Sequence, residues 1–521
     1  MTIVEILTRN ARRSPSAPAL IELRPSEGVR KEITWKEFDE RVNRVANALI
    51  DRGVKKGDRV IHLMMNSINW LEAYFGIIKI GALAVPLNFR FISRQIKYCV
   101  DVSEAEVMIL DEDFTERVED IRSQLPTIKN YIFVGQNLPE GMEAFEDVVG
   151  KASSKPVEAG LKGEDECALY FTSGTTGEPK ATLLTHGNME STAIHENYAH
   201  RETDKDNFLL LQPLYHTGGK MHWFGSLIAG ARATMIVGER VTPKLIFEAI
   251  QNERATIMML LVPWIQDMVS ALDKGELKLE DYDLSSWRLM HSGAQPIPPT
   301  LVRHWKGYFL DVQYETHFGL TETTGPCIHL GTENIRKLGA IGKPVLEMDT
   351  RVVNDNDEDV PIGKIGELLI KGNNVMKEYY RNPQRTAEVL RNGWLHTGDM
   401  VKMDSEGFIH FIDRKKDVVI SGGENIYPVE IEYLLVGLTK INDAAVIGIP
   451  EERLGEIAIA IIEPKPGQTL TEEEVKAFYE PQLPKYAWPR RIIFDKVPRN
   501  PTGKIEKPKL REKYADIKRA P

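Results

Sequence analysis

The segment YFTSGTTGEPK, Tyr170 to Lys180, combines chain breakers, hydroxyl side chains and a lysine within a few residues. It overlaps an apolar run, Ala168–Phe171, that predicts a β-strand. A loop with few Cβ atoms lets backbone N–H groups converge on an anion, and Ser/Thr hydroxyls add donors. The spacing is not that of a Walker A loop, because Gly174 and Gly177 are too close together and Ala181 follows the lysine. The segment therefore predicts a phosphate-binding loop of another kind, and its apolar flanks disfavour a flexible linker.

Size and charge restrict the classes of protein to consider. The chain has 521 residues, enough for two to four units, with 42% hydrophobic and 27% charged residues, ordinary globular values. Its formal net charge of −10 argues against a general nucleic-acid binder, since phosphate contacts need clustered Lys and Arg. Cys99, Cys167 and Cys327 are scattered without metal-ligand or disulfide spacing, which is typical of the reducing cytoplasm. We therefore predict a cytoplasmic protein without nucleic-acid partners.

The sequence argues against a membrane-spanning helix and a signal peptide. No apolar run reaches membrane-spanning length, so no integral membrane segment is predicted. Glu5 and Arg9 interrupt the beginning and argue against a signal peptide, and an amphipathic first helix is preferred to a transit peptide. The sequence does not decide the oligomeric state, and a homodimer is compatible with it.

The order of predicted elements indicates an α/β fold. Thr34 and Glu37 form a capping box before a helix, Ser67 begins another, and strands such as Val107–Asp111 alternate with these helices. This rhythm predicts mostly parallel sheets with helices on both faces. A compact αβ unit follows the segment DRKKD that begins at Asp413. We therefore predict a large N-terminal domain of stacked α/β subdomains, residues 1–413, and a small, mobile α+β C-terminal domain, residues 414–521.

Five more polar motifs lie at strand ends or in loops, where α/β proteins place ligand sites. They are QPLYHTGG (212–219), HSGAQP (291–296), HFGLTET (317–323), WLHTGD (394–399) and NPTGKIEK (500–507). Together with TSGTTGEPK they resemble the adenylate-forming family, which includes acyl-CoA synthetases, adenylation domains of peptide synthetases and beetle luciferases. The resemblance covers nearly the whole chain. It implies that a carboxylate attacks the α-phosphate of Mg-ATP to give acyl-AMP and pyrophosphate, and that a thiol, here CoA, then displaces AMP.

The resemblance assigns residues to ATP and to Mg²⁺. Thr321 would meet the α-phosphate, and Glu322, a hard oxygen ligand, would bind Mg²⁺. Asp399 would accept from two ribose hydroxyls, with Arg414 as a second ribose or phosphate contact. Phe318 stands where the family has a stacking aromatic, usually Tyr, and keeps the stacking face. The remaining ATP-binding residues are Thr172, Ser173, Gly174, Thr175, Thr176, Gly177 and Lys180 around the phosphates and Gly293, Ala294, Gln295 and Gly319 near adenine.

The same resemblance assigns a catalytic lysine and a hinge to the C-terminal region. Lys504 matches the lysine that bridges the carboxylate and the α-phosphate, two like-charged groups that a cation brings together. Lys416 matches the hinge position, where the backbone rotates between the two half-reactions. Gly422 and Gly423, in SGGENIYP, would leave room for the pantetheine arm of CoA. The alternative for each lysine is an exposed charged side chain in a turn.

The acid pocket should lie near the motifs QPLYHTGG and HFGLTET. His216 resembles the family's gate at the carboxylate. Acetate-specific relatives carry Trp at the position of Gly319, so glycine there predicts an acid larger than acetate, aliphatic, cyclic or aromatic. The other predicted pocket residues are Trp223, His291 and His317.

The resemblance predicts an AMP-forming acyl-CoA synthetase, and three other functions fit the sequence less well. A free-standing amino-acid or aryl-acid adenylation enzyme is the alternative within the family, but Lys220–Leu227 lacks the acid that usually meets an α-amine. A luciferase-like monooxygenase would need oxygen chemistry, for which no motif argues. A nucleotide sensor would not need Lys504.

Overall fold

The computed structural model describes residues 1–172, 179–238, 240–500, 503–515 and 517. The predicted capping box is confirmed: the Thr34 hydroxyl accepts from the Glu37 backbone N–H, and the Glu37 carboxylate accepts from the Thr34 N–H. The Ser67 hydroxyl likewise caps its helix by accepting from the Trp70 N–H. Local side chains thus fix where these helices begin.

The helices of the described residues, in chain order, have the following bounds. They are α1 Ile3–Arg13, α2 Trp35–Asp51, α3 Ile68–Lys79, α4 Ser93–Ser103, α5 Thr115–Glu119, α6 Phe145–Lys151, α7 His186–His200, α8 Thr217–Ala229, α9 Pro243–Glu253, α10 Val262–Asp273, α11 Pro299–Tyr308, α12 Pro383–Val389, α13 Pro428–Leu435, α14 Glu472–Tyr479 and α15 Lys507–Lys513.

The strands are given in the same order. They are β1 Pro18–Arg24, β2 Val29–Thr34, β3 Arg59–Leu63, β4 Leu83–Pro86, β5 Val107–Asp111, β6 Asn130–Val134, β7 Glu143–Ala144, β8 Glu166–Thr172, β9 Lys180–Thr185, β10 Asn207–Leu210, β11 Arg232–Ile236, β12 Ile257–Met259, β13 Leu289–Ser292, β14 Gln313–Gly319, β15 Pro326–His329, β16 Lys343–Pro344, β17 Met348–Val353, β18 Ile365–Gly372, β19 Glu378–Tyr379, β20 Leu390–Arg391, β21 Trp394–Met403, β22 Ile409–Arg414, β23 Val419–Ser421, β24 Glu424–Ile426, β25 Ile441–Glu451, β26 Gly455–Pro464 and β27 Arg491–Phe494.

The strands of the described residues form four sheets. Sheet I has the order β16-β15-β14-β13-β12-β10-β11-β1-β2 and sheet II the order β19-β9-β8-β4-β3-β5-β6-β7, and both are parallel in their central part. Sheet III, β17-β18-β21-β20 with β22 beside β21, is antiparallel. Sheet IV, β24-β23-β26-β25 with β27 beside β26, belongs to the C-terminal region. The α/β class with a large N-terminal and a small C-terminal part is confirmed.

Sheet III is the main departure from the predicted pattern. Its strands pair through antiparallel neighbours without crossover helices, so the alternation of helices and strands that indicates parallel sheets is missing there. The chain leaves sheet III at Arg414 and enters sheet IV at Val419. The predicted boundary between residues 413 and 414 therefore lies beside the change of sheet.

Separate hydrophobic clusters stabilise the two regions. One cluster joins sheets I and II with helices α1, α2, α3 and α8, and includes the fully buried Trp35, Trp70 and Trp223. The C-terminal region has its own cluster, with Leu435 and Ile462 in its centre. Within the described residues, no helix is both long and apolar enough to cross a membrane.

Candidate active site

A cavity of about 1290 Å³ opens at the carboxyl ends of parallel strands of sheet I, with the C-terminal region over it. Strands β12, β13 and β14 lie side by side in parallel and lead into its wall, as is usual for ligand sites of α/β sheets. Side chains from sheet III and from the segment around Lys504 complete the wall. The cavity thus gathers residues from distant parts of the sequence.

The ends of the glycine-rich loop are held side by side at this cavity. Thr172 on β8 pairs with Lys180 on β9, and both line the cavity. Lys180 Nζ lies 5.5 Å from the centre of the Tyr379 ring, a cation–π distance. The predicted phosphate ligands Ser173, Gly174, Thr175, Thr176 and Gly177 lie outside the described residues.

Glu322 and Thr321 follow β14 and face the same cavity. The Tyr379 hydroxyl donates to Glu322 Oε1 over 2.6 Å and holds that carboxylate in place. A carboxylate has a second oxygen, so this contact leaves Glu322 able to bind a hard cation such as Mg²⁺. The donor set therefore fits the predicted metal.

Asp399 and Arg414 are opposite each other on the antiparallel strands β21 and β22. Asp399 is fully buried, and Arg414 Nε lies 2.6 Å from its Oδ1, an ion-pair distance. Within the described part of the chain, neither carboxylate oxygen has a hydrogen bond of good geometry. Burial raises the pKa of Asp399, whereas Arg414 and Lys504 work against that rise. Two buried oxygens without hydrogen bonds suit a ligand with two adjacent hydroxyls. Asp399 itself is not among the described lining residues of the cavity, whereas its neighbour Gly398 and its partner Arg414 are.

Lys504 reaches the cavity from the C-terminal region. Its backbone N–H donates to Asn500 Oδ1 over 2.9 Å, which shapes the turn around it. Burial, helped by Arg414, lowers the pKa of Lys504 to about 8, while Asp399 and Glu322 oppose the change. Lys504 thus lines the same cavity as Glu322, which lies far from it in the sequence.

His216 begins helix α8 and lines the cavity. Its Nδ1 accepts from the Gly218 backbone N–H over 3.1 Å, so the ring proton is on Nε2. Burial and the nearby Lys504 lower the pKa of His216 to about 3, which leaves the ring neutral at physiological pH. His216 can thus donate a hydrogen bond from Nε2.

Of the three residues after β13 that were predicted to lie near adenine, two line the cavity. Ala294 and Gln295 line the cavity, and Ala294 has a left-handed φ of 67°, a strained conformation for a side chain with Cβ. Phe318 also lines it. Gly293 is not among the described lining residues; a Cβ there would lie 2.3 Å from His317 Nε2.

Gly319 requires a different explanation from the predicted one. A Cβ at this position would lie 2.2 Å from the Gly325 carbonyl oxygen, so the missing side chain makes room for backbone. Gly319 lines the cavity, but the direction of its Cβ gives no measure of the length of the acid pocket.

The predicted acid pocket is divided between the cavity wall and the protein interior. His317 lines the cavity, as does His222. Trp223 and His291 are fully buried and are not among the described lining residues. Trp223 packs against Phe75 in the core, with ring centres 6.2 Å apart. The structure therefore does not bring Trp223 to the pocket, because the side of α8 that carries it faces the core.

Behind His317 lies a buried polar cluster that the sequence did not predict. It comprises Glu196, His200, Glu202, His222, His291, Glu315, His317 and His329. Burial opposes a charge on His200, but Glu196, Glu202 and Glu315 outweigh it and raise its pKa to about 10. His329 is raised to about 9 in the same way, against burial, by Glu315 and Glu196. Burial lowers the pKa of His291, and that of His317 to about 4.

The residues predicted for the hinge and for CoA lie at different places. Lys416 lines the cavity, between the end of β22 and the start of β23. Gly422 and Gly423 form the exposed two-residue turn between β23 and β24, and both have positive φ, 59° and 88°. Glycine suits that turn for its backbone conformation, and the described cavity wall does not include either residue.

The sequence reasoning missed Tyr379 and Arg499. Tyr379 comes to Glu322 because β19 pairs with β9, which follows the glycine-rich loop. Arg499 Nη1 donates to Gln295 Oε1 over 2.9 Å, and its Nε lies 2.6 Å from Asp443 Oδ2. Arg499 thereby links the C-terminal region to the segment after β13. Tyr379 could have been found from the sequence, because it is an aromatic residue within the polar segment KEYYRN (377–382).

Comparison with known proteins decides the family. The description "AMP-binding enzyme" matches residues 7–380, and "AMP-binding enzyme C-terminal domain" matches residues 430–504. The chain belongs to the AMP-binding enzyme family. The predicted adenylate-forming family and the class of enzyme, an AMP-forming acyl-CoA synthetase, are thereby confirmed.

Similar members of the AMP-binding family act on large acids, as their names state. A feruloyl-CoA synthase from an Amycolatopsis species is 33% identical, over 97% of this chain and 98% of its own. A long-chain-fatty-acid–CoA ligase from Mycobacterium tuberculosis is 32% identical, over 98% of each chain. The crystal structure of anthranilate CoA ligase AuaEII with anthranoyl-AMP has a TM-score of 0.90 and 28% identity, over 99% of this chain and 98% of that one.

Proposed function

We propose that this chain activates a medium-sized aliphatic, cyclic or aromatic carboxylic acid with Mg-ATP and transfers the acyl group to CoA, and that the residues of the cavity carry out both steps. The observation that supports this most is the position of Lys504. It belongs to the C-terminal region, yet it lines the same cavity as Thr321 and Glu322, which follow β14. ATP binding alone would not require such a lysine.

In the first step the acid's carboxylate oxygen attacks the α-phosphorus, and the bond to the bridging oxygen of pyrophosphate breaks. Lys504 would contact both the carboxylate and the α-phosphate, which lowers their mutual repulsion. Thr321 would donate to an α-phosphate oxygen, and Lys180 with the loop after Thr172 would hold the leaving pyrophosphate. His216, neutral and protonated on Nε2, would donate to the acid's carboxylate.

Nucleotide binding would use Asp399, behind the cavity wall, and the segment after β13. Asp399 would accept from both ribose hydroxyls once Arg414 moves aside, and Phe318 with Ala294 and Gln295 would contact adenine. Glu322, held by Tyr379, would bind Mg²⁺, which when present neutralises phosphate charge.

In the second step the sulfur of CoA attacks the acyl carbon, and AMP leaves with the electrons of the acyl–phosphate bond. Gly422 and Gly423 are exposed and remote from the cavity wall in the present arrangement. We propose that rotation about Lys416 replaces Lys504 by this turn at the cavity. The domain division at residues 413 and 414 agrees with this rotation.

The size of the acid and the cellular location of the enzyme are inferred from the relatives and from the cysteines. The aromatic and long-chain acids named for the relatives favour an acid well above acetate. All three cysteines are buried and none is in a disulfide, which favours the cytoplasm. A homodimer remains compatible with these features.

The test is acid-dependent release of pyrophosphate from ATP, measured over a panel of aliphatic, cyclic and aromatic acids with and without CoA. We expect pyrophosphate release with the preferred acid, and the matching acyl-CoA only when CoA is present. Acid-dependent pyrophosphate release without any thioester in the presence of CoA would disprove the ligase function and favour a free-standing adenylation enzyme.

A further inference from the structure

The buried polar cluster behind the cavity has an inner and an outer part. The inner part contains His200 and His329 among three carboxylates. His200 nitrogens lie 3.4 to 3.6 Å from oxygens of Glu196, Glu202 and Glu315, and both nitrogens of His329 lie 3.2 Å from a carboxylate. These two imidazoles are therefore engaged in ion pairs, which offset the cost of burying the carboxylates.

The outer part consists of His222, His291 and His317, and one ring nitrogen of each lies within 4.8 Å of the others. The ring centres of His222 and His317 are 4.3 Å apart, and those of His222 and His291 are 4.6 Å apart. All three side chains are buried. Three imidazoles converging at one point provide the ligands that Zn²⁺ and neighbouring first-row metals prefer.

His291 is the member that the ordinary interactions of the protein do not explain. It is fully buried, and neither ring nitrogen has a hydrogen bond within the described part of the chain. A buried polar group without a partner costs free energy, typically about 1–3 kcal/mol. A metal ion would supply the missing partner.

His222 has the arrangement that metal-binding imidazoles usually show, whereas His317 Nδ1 faces a carboxylate at a distance too long for a hydrogen bond. His222 Nδ1 lies 2.6 Å from Glu196 Oε2, and His317 Nδ1 lies 3.7 Å from Glu315 Oε2. Metal-binding histidines commonly donate the second ring N–H to a carboxylate, which orients the ring and leaves the other nitrogen free for the metal. In both residues that other nitrogen is Nε2.

We propose that His222, His291 and His317 bind a divalent first-row transition-metal ion, best matched by Zn²⁺, behind the acid pocket. Zn–N bonds of about 2.0–2.1 Å in a tetrahedron separate the nitrogens by about 3.4 Å, so binding draws the three rings slightly closer together. Because His222 and His317 line the cavity, the fourth position is accessible from it to a water molecule or to an oxygen of the bound acid. The carboxylates of Glu196 and Glu315 help to balance the added charge.

This site differs in chemistry and position from the proposed Mg²⁺ site. Glu322 offers a hard carboxylate oxygen beside the phosphates, whereas the three histidines offer only imidazole nitrogens. Loss of one site therefore need not remove the other. The inference does not depend on which acid the enzyme activates.

The first experiment uses the wild-type chain without a histidine tag. The protein is stripped with a chelator, dialysed and titrated with Co²⁺ while visible absorption is recorded, and zinc is then added in competition. We expect saturation near one Co²⁺ per chain, with the intense bands of four-coordinate cobalt, and their loss when Zn²⁺ displaces it. Absence of saturable binding by the folded wild-type chain would overturn the proposal without any variant.

Variants then locate the ion. We expect His291→Ala and His317→Ala each to weaken Co²⁺ binding at least about tenfold, by loss of a ligand. The matched control is His304→Ala, because His304 is exposed on α11 and outside the cluster. Circular dichroism identifies variants that remain folded. Unchanged binding in folded His291→Ala and His317→Ala would place the metal elsewhere and overturn the assignment.

Discussion

At the scale of single residues, the proposed role of Lys504 predicts a measurable pH dependence of the reaction. Its pKa is lowered to about 8 by burial and by Arg414, and only the protonated ammonium can bridge two anions. Protonation is nearly complete one pH unit below that pKa, half lost at it and about tenfold reduced one unit above it. We therefore expect kcat/KM for acid-dependent pyrophosphate release to be level below about pH 7, halved near pH 8 and about tenfold lower near pH 9, since kcat/KM reports groups of the free enzyme.

The control for this prediction is Lys504→Arg, since a guanidinium stays protonated over the range. Any residual activity of that variant should lack the alkaline decrease. An identical decrease in the variant and the wild type would assign the pH dependence to another group.

Asp399 allows a second prediction at this scale. Asp399→Asn keeps the size of the side chain and removes the charge that strengthens hydrogen bonds to ribose, worth about 1.5–3 kcal/mol each. We expect wild-type kcat/KM to be about 10–100-fold lower for 2′-deoxy-ATP than for ATP, and the variant to discriminate much less. Asp359→Asn, at an exposed residue paired with Arg351, is the control. Equal discrimination by Asp399→Asn and the wild type would remove Asp399 from the ribose site.

At the scale of secondary-structure elements, the packing of α2 on α3 depends on one glycine. A Cβ at Gly76 would lie 2.5 Å from Val45 Cγ1 and 3.3 Å from the Ala46 backbone nitrogen. Gly76→Ala should therefore lower the free energy of unfolding by about 1–3 kcal/mol through overpacking. The measurement is the shift of the denaturant midpoint.

Gly150, in the short helix α6, is the matched control, because no atom lies within 4 Å of the Cβ that alanine would add there. Gly150→Ala should stabilise by up to about 1 kcal/mol, since alanine favours the helix. Midpoint shifts of the same sign for both variants would contradict the proposed contact of α2 with α3.

Elements with strong local signals were predictable from the sequence, whereas those made by distant pairing were not. Val107–Asp111 is a strand with the predicted bounds, because a short apolar run between polar segments has few alternatives. Sheet III was missed, because its antiparallel pairing depends on partners that periodicity does not reveal. The contact of Tyr379 with Glu322 spans 57 residues and depends on the pairing of β19 with β9.

The same reasoning explains which site residues were predictable. Motifs such as HFGLTET place several functional side chains on one strand end, and the structure brings His317, Phe318 and Thr321 to the cavity. Trp223 was assigned to the pocket by its nearness in sequence to His216. A helix turns about 100° per residue, so nearness along α8 does not decide which side chain faces the cavity.

At the scale of the whole molecule, the C-terminal region has the arrangement that the proposed first half-reaction needs, with Lys504 at the cavity. Arg499 connects Gln295 with Asp443, and Lys504 follows a few residues later at the cavity. Gly422 and Gly423 are not among the described lining residues, so the proposed second half-reaction would use another arrangement. The contact of Arg499 with Gln295 should therefore matter for only one of the two steps.

We expect Arg499→Ala to reduce acid-dependent pyrophosphate release about tenfold or more, as expected for loss of a charged hydrogen bond. The rate of thioester formation from supplied acyl-AMP and CoA should change little, because that step does not use this contact. Lys440→Ala, which removes an exposed ion pair with Glu474 inside the C-terminal region, controls for general effects of a lost cation. If Arg499→Ala slowed both half-reactions equally, Arg499 would stabilise the C-terminal region through Asp443 and would not select one arrangement of the two domains.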